Sequence, residues 1–502
     1  MELTGKRRAG ILAHLTSLPG PHGHGDLGPS AFAFADFLHA AGQTVWQMLP
    51  VSPPGFGGSP YDSPSTIAGS AWLVSLDVLK RDGLLTAREL ATPKALAGRE
   101  RLLASQAFRE ERLRRAHARY LTRRTKAEQR RFDQFVQAQD AWLRDHSLFA
   151  ALKLAHGGAP WTEWDAALRT RNPAALRRAQ AAHDSEVAYR HWVQFEFDAQ
   201  WRNLAEYCRE RGILLLGDVP MFVAHDGADT WAHQALFRLD RQGRRKVLAG
   251  VPPDAFSDEG QLWGNPVYDW PAMQRDGFEW WVTRFSRGLQ LFDALRLDHF
   301  IGFRRCYEVA ADAKDARVGQ FRRVPGEALF DRLRERLGGL PFLAEDLGIV
   351  TDEVVRLRRH LELPGMRVLQ FAFGDPAGSD YLPHRFETQT AVYTGTHDND
   401  TTRGWYRTLA RTDEGKQEKR RVDAYVGPSP EPIEQKLMRA AYASVAALAI
   451  VPLQDVLGLG NSARMNVPGT SKGNWQWRCE RRDLSPARAA RLKSLARTYE
   501  RV

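Results

Sequence analysis

Short apolar segments recur along the whole chain and restrict its fold more than any other feature. Eight of them break at a polar residue, a glycine or a proline: AGILAHLTSLPG (9–20), TVWQMLPVSP (44–53), GILLLGDVP (212–220), FDALRLDHF (292–300), PFLAEDLG (341–348), MRVLQFAFG (366–374), TAVYTGTHDND (390–400) and ALAIVPLQDVLG (447–458). Helical patterns, with apolar residues three or four positions apart, lie between most of them. Strands that alternate with helices pair in parallel, so the sequence predicts an α/β fold of the (β/α)8 TIM-barrel type.

Two intervals are too long or too irregular for a simple barrel. About 150 residues separate the second and third strands, far more than one crossover needs, and residues 80–205 read as a mostly helical insertion. Residues 248–272 are rich in proline, glycine and aromatic residues, which is typical of an irregular loop over the barrel mouth. We expect residues 1–502 to form a single catalytic barrel domain with inserted, mostly helical subdomains.

Composition limits the compartment and the partners. The three cysteines, Cys208, Cys306 and Cys479, are far apart and lack metal-ligand spacing, which favours a reducing compartment. Neither a signal peptide nor a membrane span is recognisable, so we expect a cytoplasmic protein that does not contact membranes. The net charge is +11, and residues 101–130 hold ten Lys or Arg against three Asp or Glu. We interpret this run as a solvated helix face rather than a nucleic-acid site, because it holds few aromatic residues.

Acidic residues stand where several predicted strands end. They are Asp218 in LLLGDVP, Asp298 in LRLDHF, Glu345 in FLAEDLG and Asp398 in TGTHDND. The carboxyl ends of all strands in such a barrel meet at one mouth, so these four side chains should converge there. Retaining glycoside chemistry needs two carboxyl groups about 5 to 5.5 Å apart, which neighbouring strands can supply.

Asp298 and Glu345 are the predicted catalytic pair. Arg296 points to the same side of its strand as Asp298 and can keep that carboxylate ionised as a nucleophile, although a structural ion pair is the alternative. Glu345 is the predicted proton donor, with a pKa raised by apolar surroundings. The alternative role, an acid at a helix N-terminus, suits Asp346 better.

Asp398 and the preceding His397 are predicted to bind sugar hydroxyls and to favour the distorted ring of the transition state. HDND could instead be a turn built from side-chain to backbone hydrogen bonds. A metal site that uses His14, His299 and His397 is a weaker alternative, because no strand carries histidines at ligand spacing. Aromatic residues near the mouth offer stacking surfaces for sugars: Phe56, Tyr61, Phe256, Trp263, Tyr381, Trp475 and Trp477.

Eight motifs occur in a fixed order across the chain: HLTSLPG, SPYDSPS, GDVPMFVAHD, GVPPDAFSDEGQLWGNP, RLDHFIGF, FLAEDLG, GTHDNDTT and RMNVPGT. Together they resemble the 4-α-glucanotransferases known as amylomaltases or disproportionating enzymes, within the α-amylase superfamily. Thr396-His397-Asp398 stands where α-amylases usually have Asn-His-Asp, which favours a transferase over a hydrolase.

The resemblance implies a retaining double displacement with Asp298 as nucleophile, Glu345 as acid/base and Asp398 as transition-state stabiliser. It implies transfer of α-1,4-glucan segments between maltooligosaccharides, with glucose or short sugars released and no cofactor or metal required. The expected substrate-binding residues are Ser59, Tyr61, Asp218, Asp254, Phe256, Trp263, Arg296, His299, Asp375, His397 and Asn466. The sequence leaves the oligomeric state open, with a monomer among the alternatives. The rival classes are an α-glucan hydrolase, a catalytically inactive glucan-binding protein and a nucleic-acid binder.

Overall fold

The computed structural model describes residues 3–91, 93, 96, 102–253, 258–375, 379–470 and 472–502. The strands in this part of the chain are β1 (Arg8–Leu12), β2 (Val45–Gln47), β3 (Leu214–Val219), β4 (Val247–Val251), β5 (Gln261–Pro266), β6 (Ala294–Leu297), β7 (Arg305–Ala310), β8 (Gly319–Arg323), β9 (Phe342–Ala344), β10 (Gly365–Val368), β11 (Thr390–Tyr393) and β12 (Leu448–Pro452).

The α-helices are α1 (Pro29–Ala40), α2 (Leu76–Arg81), α3 (Ser105–Arg123), α4 (Lys126–Ala138), α5 (Asp140–Ala155), α6 (Ala166–Arg169), α7 (Pro173–Ala182), α8 (Asp184–Glu210), α9 (Ala228–Ala232), α10 (Trp270–Arg275), α11 (Glu279–Leu291), α12 (Gly326–Leu337), α13 (Asp352–His360), α14 (Thr402–Thr408), α15 (Asp413–Val426), α16 (Ile433–Ala443), α17 (Leu453–Val456) and α18 (Pro486–Thr498). No helix in the described ranges is long and apolar enough to cross a membrane.

Eight strands close into a parallel barrel in the order β1-β2-β3-β6-β9-β10-β11-β12, and β12 pairs with β1 to complete the ring. Six of them fall inside one of the eight apolar segments recognised in the sequence, and β1 and β10 begin one residue before theirs, which confirms the predicted TIM barrel. Side chains alternate along each strand: Leu216 packs inside the barrel, while Leu215 packs outward among the helices. Because both faces are buried, the strands read as nearly continuous apolar runs.

Helices α2 to α8 lie between β2 and β3. The basic helix α3 sits in this stretch, and several of its arginines pair with carboxylates: Arg114 contacts Glu186 of α8 at 2.8 Å, and Arg119 contacts Glu89 at 3.0 Å. Its positive charge is therefore partly neutralised by neighbouring elements.

The segment 248–272 is not the irregular loop that its composition indicates, and that part of the prediction is wrong. It contains most of β4 and all of β5, which pair with β7 and β8 in a four-stranded antiparallel sheet of order β5-β4-β7-β8. The pairing partner β7 comes more than 50 residues later, so local composition could not reveal the strands. Residues 254–257, between the two strands, lie outside the described residues.

Candidate active site

A cleft of about 690 Å³ lies at the carboxyl ends of the barrel strands. Arg296 lies in β6 and Asp298 directly follows that strand, Glu345 directly follows β9, and Asp398 lies in the segment after β11. All four side chains line the cleft, together with residues of β5 and β7 in the antiparallel sheet. The barrel topology therefore brings Asp298, Glu345 and Asp398 to one mouth. Asp218, the fourth strand-end acid and an expected substrate contact, is enclosed and does not line the cleft, because its oxygens pair with Arg296 and Tyr61.

Arg296 is the central charge of this site and is 4% exposed. Its Nη1 donates to both carboxylate oxygens of Asp218 at 2.8 Å and to Oδ1 of Asp298 at 3.0 Å. The Tyr61 hydroxyl donates to Asp218 at 2.7 Å. Burial raises the pKa of Asp218 to about 6, and the Arg296 charge opposes that rise. Both oxygens of Asp218 therefore accept hydrogen bonds from protein side chains.

Asp298 differs from Asp218 in its access to the cleft. The side chain of Asp218 is 0% exposed, whereas that of Asp298 is 29% exposed. One guanidinium therefore holds two carboxylates, of which one is enclosed and the other faces the cavity. Only the second can meet a bound molecule.

Glu345 is held from the neighbouring strand. The backbone N–H of His299 donates to Oε2 of Glu345 at 2.6 Å. His299 has a left-handed φ of 49°, an uncommon conformation for a non-glycine residue, and the sharp turn it makes directs this N–H toward Glu345. Desolvation raises the pKa of Glu345 well above its usual value; Arg296 opposes this, and the Asp298 charge adds to it.

Histidine and aromatic rings form walls around the acids. The His299 ring packs edge-on against Trp263 with centroids 4.9 Å apart, and loss of solvent lowers the pKa of His299 to about 4. The His397 ring stacks on Tyr61 at 5.2 Å and lies 6.0 Å from Trp475. These rings give the cleft apolar faces beside its charged groups.

Asp398 is oriented by Asn466, from the chain after β12, and by the adjacent His397. Asn466 Nδ2 donates to Oδ1 of Asp398 at 2.6 Å, and His397 Nε2 lies 3.4 Å from its other oxygen. Its side chain remains 44% exposed. The turn predicted as an alternative for HDND also exists, but Asn399 makes it: its Oδ1 accepts from the backbone and hydroxyl of Thr396 at 2.8 Å.

The remaining predicted contact residues divide into three groups. Ser59 and Trp263 line the cleft. Asp254 and Phe256 lie outside the described residues. Asp375 is exposed and does not line the cleft, because it lies in the connection after β10, beyond the strand end.

Two further residues were misjudged or missed. Asp346 is not at a helix N-terminus, since α13 begins at Asp352; it is a buried ion-pair partner of Arg358 at 3.1 Å and of Arg367 at 3.5 Å. Arg464 was missed, although it donates to the backbone carbonyl of Asp398 at 2.5 Å. Its position two residues before Asn466, a predicted contact residue, is the sequence signal that could have identified Arg464.

The described part of the chain contains no group of three or more His, Cys, Asp or Glu side chains arranged to hold a metal ion. Among the histidines of the metal alternative, His299 and His397 line the cleft, whereas His14 is buried outside it.

Comparison with known proteins agrees with this geometry. A family model described as 4-alpha-glucanotransferase matches residues 13–484. The 4-alpha-glucanotransferases of Thermus thermophilus and Synechocystis are 43% and 44% identical; each comparison covers 99% of this chain, and 99% and 98% of the relatives. The solved structure of amylomaltase from Streptococcus agalactiae in complex with acarbose has a TM-score of 0.92 at 36% identity, covering 99% of this chain and 100% of that one. With a family model across nearly its whole length and relatives above 40% identity, the chain belongs to the 4-alpha-glucanotransferase family.

Proposed function

We propose that this protein is a 4-α-glucanotransferase that moves α-1,4-glucan segments between maltooligosaccharides by a retaining double displacement. The observation that carries the proposal is the pair of carboxyl groups on neighbouring barrel strands. Asp298 is paired with Arg296 at 3.0 Å and open to the cleft, and desolvation raises the pKa of Glu345. Retaining glycoside chemistry requires a carboxylate open to the sugar and a protonated acid beside it, and these two groups fit those roles.

In the first half-reaction, Asp298 attacks the anomeric carbon of the donor sugar. Glu345 gives its proton to the glycosidic oxygen as the bond to that oxygen breaks, and the shortened glucan leaves with a free 4-hydroxyl. The enzyme then carries a glucan ester on Asp298, and Glu345 is a carboxylate.

In the second half-reaction, an acceptor sugar replaces the departed glucan. Glu345 now removes the proton from the acceptor 4-hydroxyl, whose oxygen attacks the anomeric carbon and releases Asp298. Two inversions leave the α-configuration unchanged, and Glu345 ends protonated as it began.

Asp398 is assigned to the sugar that carries the developing positive charge. Its exposed carboxylate, fixed by Asn466 and His397, can accept hydrogen bonds from sugar hydroxyls that strengthen in the transition state. Asp218, Tyr61 and Arg296 form the rigid wall that holds the nucleophile in place.

The cleft rings are assigned to sugar binding. Tyr61, Trp263 and Trp475 present apolar faces beside polar groups, which is the combination that a sugar ring requires. The Streptococcus agalactiae amylomaltase was solved in complex with acarbose, and this supports carbohydrate binding by the present chain.

We also propose a cytoplasmic location. Cys208 and Cys306 are buried free thiols, as is usual where thiols stay reduced. Cys479 is also buried. The relatives include bacterial proteins and plant proteins named as chloroplastic or amyloplastic.

A product profile tests the proposed function directly. Purified protein is incubated with maltotriose without added metal, and chain lengths and total reducing ends are followed by chromatography and a reducing-end assay. Transfer predicts glucose together with a ladder of longer maltooligosaccharides at a constant number of reducing ends. Glucose and maltose with rising reducing ends would show that the enzyme is a hydrolase instead. An Asp298→Asn protein purified in the same way excludes a contaminating enzyme.

A further inference from the structure

The segment between β11 and α14 carries His397 and Asp398, and both of its ends are attached to one buried side chain. That side chain is Asp455 in α17, the short helix that directly follows β12. Asp455 does not line the cleft and is 1% exposed. Its position links the last barrel strand to the segment that bears Asp398.

Asp455 accepts three hydrogen bonds from this segment. The Thr394 hydroxyl, one residue after β11, donates to Oδ2 at 2.6 Å. The Thr402 hydroxyl donates to the same oxygen at 2.6 Å, and the Thr402 backbone N–H donates to Oδ1 at 2.8 Å. Thr394 and Thr402 are both 0% exposed. Because all three donors are buried, water cannot replace the carboxylate without reorganising the segment.

Other contacts hold the middle of the segment. Gln370 donates to the backbone carbonyl of Asp400 at 2.9 Å, and Asn461 accepts from the Thr401 N–H at 3.2 Å. At Gly395 the chain passes so close to Gln370 that an added Cβ would lie 2.5 Å from its Nε2. The two ends, however, are joined to each other through Asp455, so this carboxylate sets the span of the segment.

We propose that Asp455 is a positioning residue for the glycosyl-transfer reaction, which acts by fixing the ends of the segment that presents Asp398. The inference rests on the role proposed for Asp398. Asp455 touches no bound sugar; it determines where the Asp398 carboxylate stands when positive charge develops on the sugar. Small displacements of a group that acts in the transition state reduce turnover far more than ground-state binding.

Asp455→Asn is the informative change because it keeps size and shape. An amide has one acceptor oxygen and one NH2 group. In one orientation the amide oxygen faces the two threonine hydroxyls, and the NH2 group then meets the Thr402 N–H, which is also a donor. In the other orientation the amide oxygen faces the Thr402 N–H, and the NH2 group stands where an oxygen accepted both hydroxyls. Neither orientation preserves the arrangement of all three contacts, so the segment must shift.

The test is a double-mutant cycle with α-maltosyl fluoride as donor and fluoride release as the readout. We expect Asp455→Asn to lower kcat by about tenfold or more, with KM changed by less than about twofold. In an Asp398→Asn background the same change should lower kcat by less than about twofold, because the group through which Asp455 acts is already absent.

The matched control is Asp293→Asn. Asp293 precedes β6 at the opposite end of the barrel and accepts the Leu215 N–H at 2.9 Å. It makes a comparable structural hydrogen bond away from the cleft, so kcat should stay at the wild-type value.

Three results would overturn the inference: an unchanged kcat in Asp455→Asn, an effect confined to KM, or an equal loss of kcat with and without Asp398. If Asp455→Asn does not fold, Thr394→Val removes one hydroxyl and keeps the carboxylate, while Thr394→Ser restores the hydroxyl. Lower kcat in the valine variant with recovery in serine supports the proposal, and identical kcat values refute it.

Failure of wild-type protein to elongate maltotriose would refute glucan transfer separately, since fluoride release reports the first half-reaction with any acceptor.

Discussion

Arg296 shows how one buried guanidinium gives two carboxylates different tasks. A single nitrogen, Nη1, contacts both Asp218 and Asp298. Asp218 is enclosed and has a second donor in Tyr61, whereas Asp298 keeps an open side toward the cleft. Removing one partner of a buried ion pair leaves the other charge uncompensated. The arrangement therefore stabilises Arg296 through Asp218 and leaves Asp298 available for chemistry.

Asp298→Asn should remove catalysis without unfolding the protein. Arg296 keeps its two contacts with Asp218, so the buried charge stays paired. An amide is a very poor nucleophile, and we expect kcat for maltotriose to fall by at least about 10³-fold. Activity is measured as glucose release and folding as the thermal unfolding midpoint. Asp331→Asn, at a side chain 61% exposed on α12, serves as control. Near-normal turnover in Asp298→Asn would remove this residue from the role of nucleophile.

Glu345 should set the alkaline limit of activity toward maltotriose. Desolvation raises its pKa, and the donor must be protonated to assist the leaving oxygen. kcat/KM should therefore fall as pH rises through that pKa and stay high below it. Fluoride leaves without a proton, so fluoride release from α-maltosyl fluoride should lack this limb. The comparison uses one protein and two substrates across the same pH range.

The Glu345→Gln variant completes that experiment. It should release a burst of fluoride and accumulate the glycosyl ester, because the second step then lacks its base. If the wild-type enzyme loses activity toward both substrates at the same alkaline pH, the alkaline limit belongs to a group other than Glu345.

At the scale of secondary-structure elements, the barrel strands could be predicted from sequence and the antiparallel sheet could not. The barrel strands are short apolar runs buried on both faces, and that pattern is local. β8 carries no such signal: all five of its residues are exposed, and it is defined by pairing with β7. β4 pairs with β7 across a long sequence separation. Glycine and proline suggested a loop there, but tertiary pairing decided the structure.

The same distinction separates the predictable site residues from the others. Asp298 and Glu345 follow strands directly, so the barrel rule alone places them at the mouth. Arg464 and Asp455 act from the chain after β12, and their contacts with the Asp398 segment depend on how two connections fold against each other. Asp346 was misplaced because its partners, Arg358 and Arg367, are identified only by packing.

The β4–β5 hairpin should contribute to substrate affinity through Trp263. This side chain is 36% exposed, stands on β5 and packs against His299. Trp263→Ala removes a stacking surface, and we expect KM for maltotriose to rise about tenfold, which corresponds to about 1.4 kcal/mol. Tyr425→Ala is the control, since Tyr425 has a similar exposure of 37% and does not line the cleft. Equal KM values in the wild type and Trp263→Ala would exclude sugar stacking on this ring.

For the molecule as a whole, closure of the barrel joins the two ends of the chain. β1 pairs with β12 over five residues, so strands more than 430 residues apart in sequence must meet before the ring is complete. Bringing such distant segments together costs loop-closure entropy. Side chains that tie this seam should therefore have a large effect on stability.

Arg501 is the side chain that ties this seam from the C-terminal segment. It is 0% exposed. Its guanidinium donates at 2.8 to 3.3 Å to the backbone carbonyls of Arg8, Tyr442, Ser444 and Ala447. Burial lowers the pKa of Arg501 to about 10, so the group stays charged at neutral pH and its hydrogen bonds are charge-assisted.

Arg501→Met should destabilise the whole barrel while leaving the cleft chemistry intact in the folded fraction. The change removes these charge-assisted hydrogen bonds from the seam, although Ser444 and Tyr442 keep donors in Arg7, and Ala447 keeps the Arg8 N–H. We expect a loss of about 3 kcal/mol in the free energy of unfolding. Urea titration and thermal unfolding at a fixed scan rate measure this loss. The kcat at low temperature, compared with that of the wild type, shows whether the active site is intact. Arg497→Met, at an exposed position of α18, should unfold like the wild type. If both methionine variants unfold alike, closure at the β1–β12 seam does not depend on Arg501, and the backbone ladder together with Arg7 would hold the two ends together.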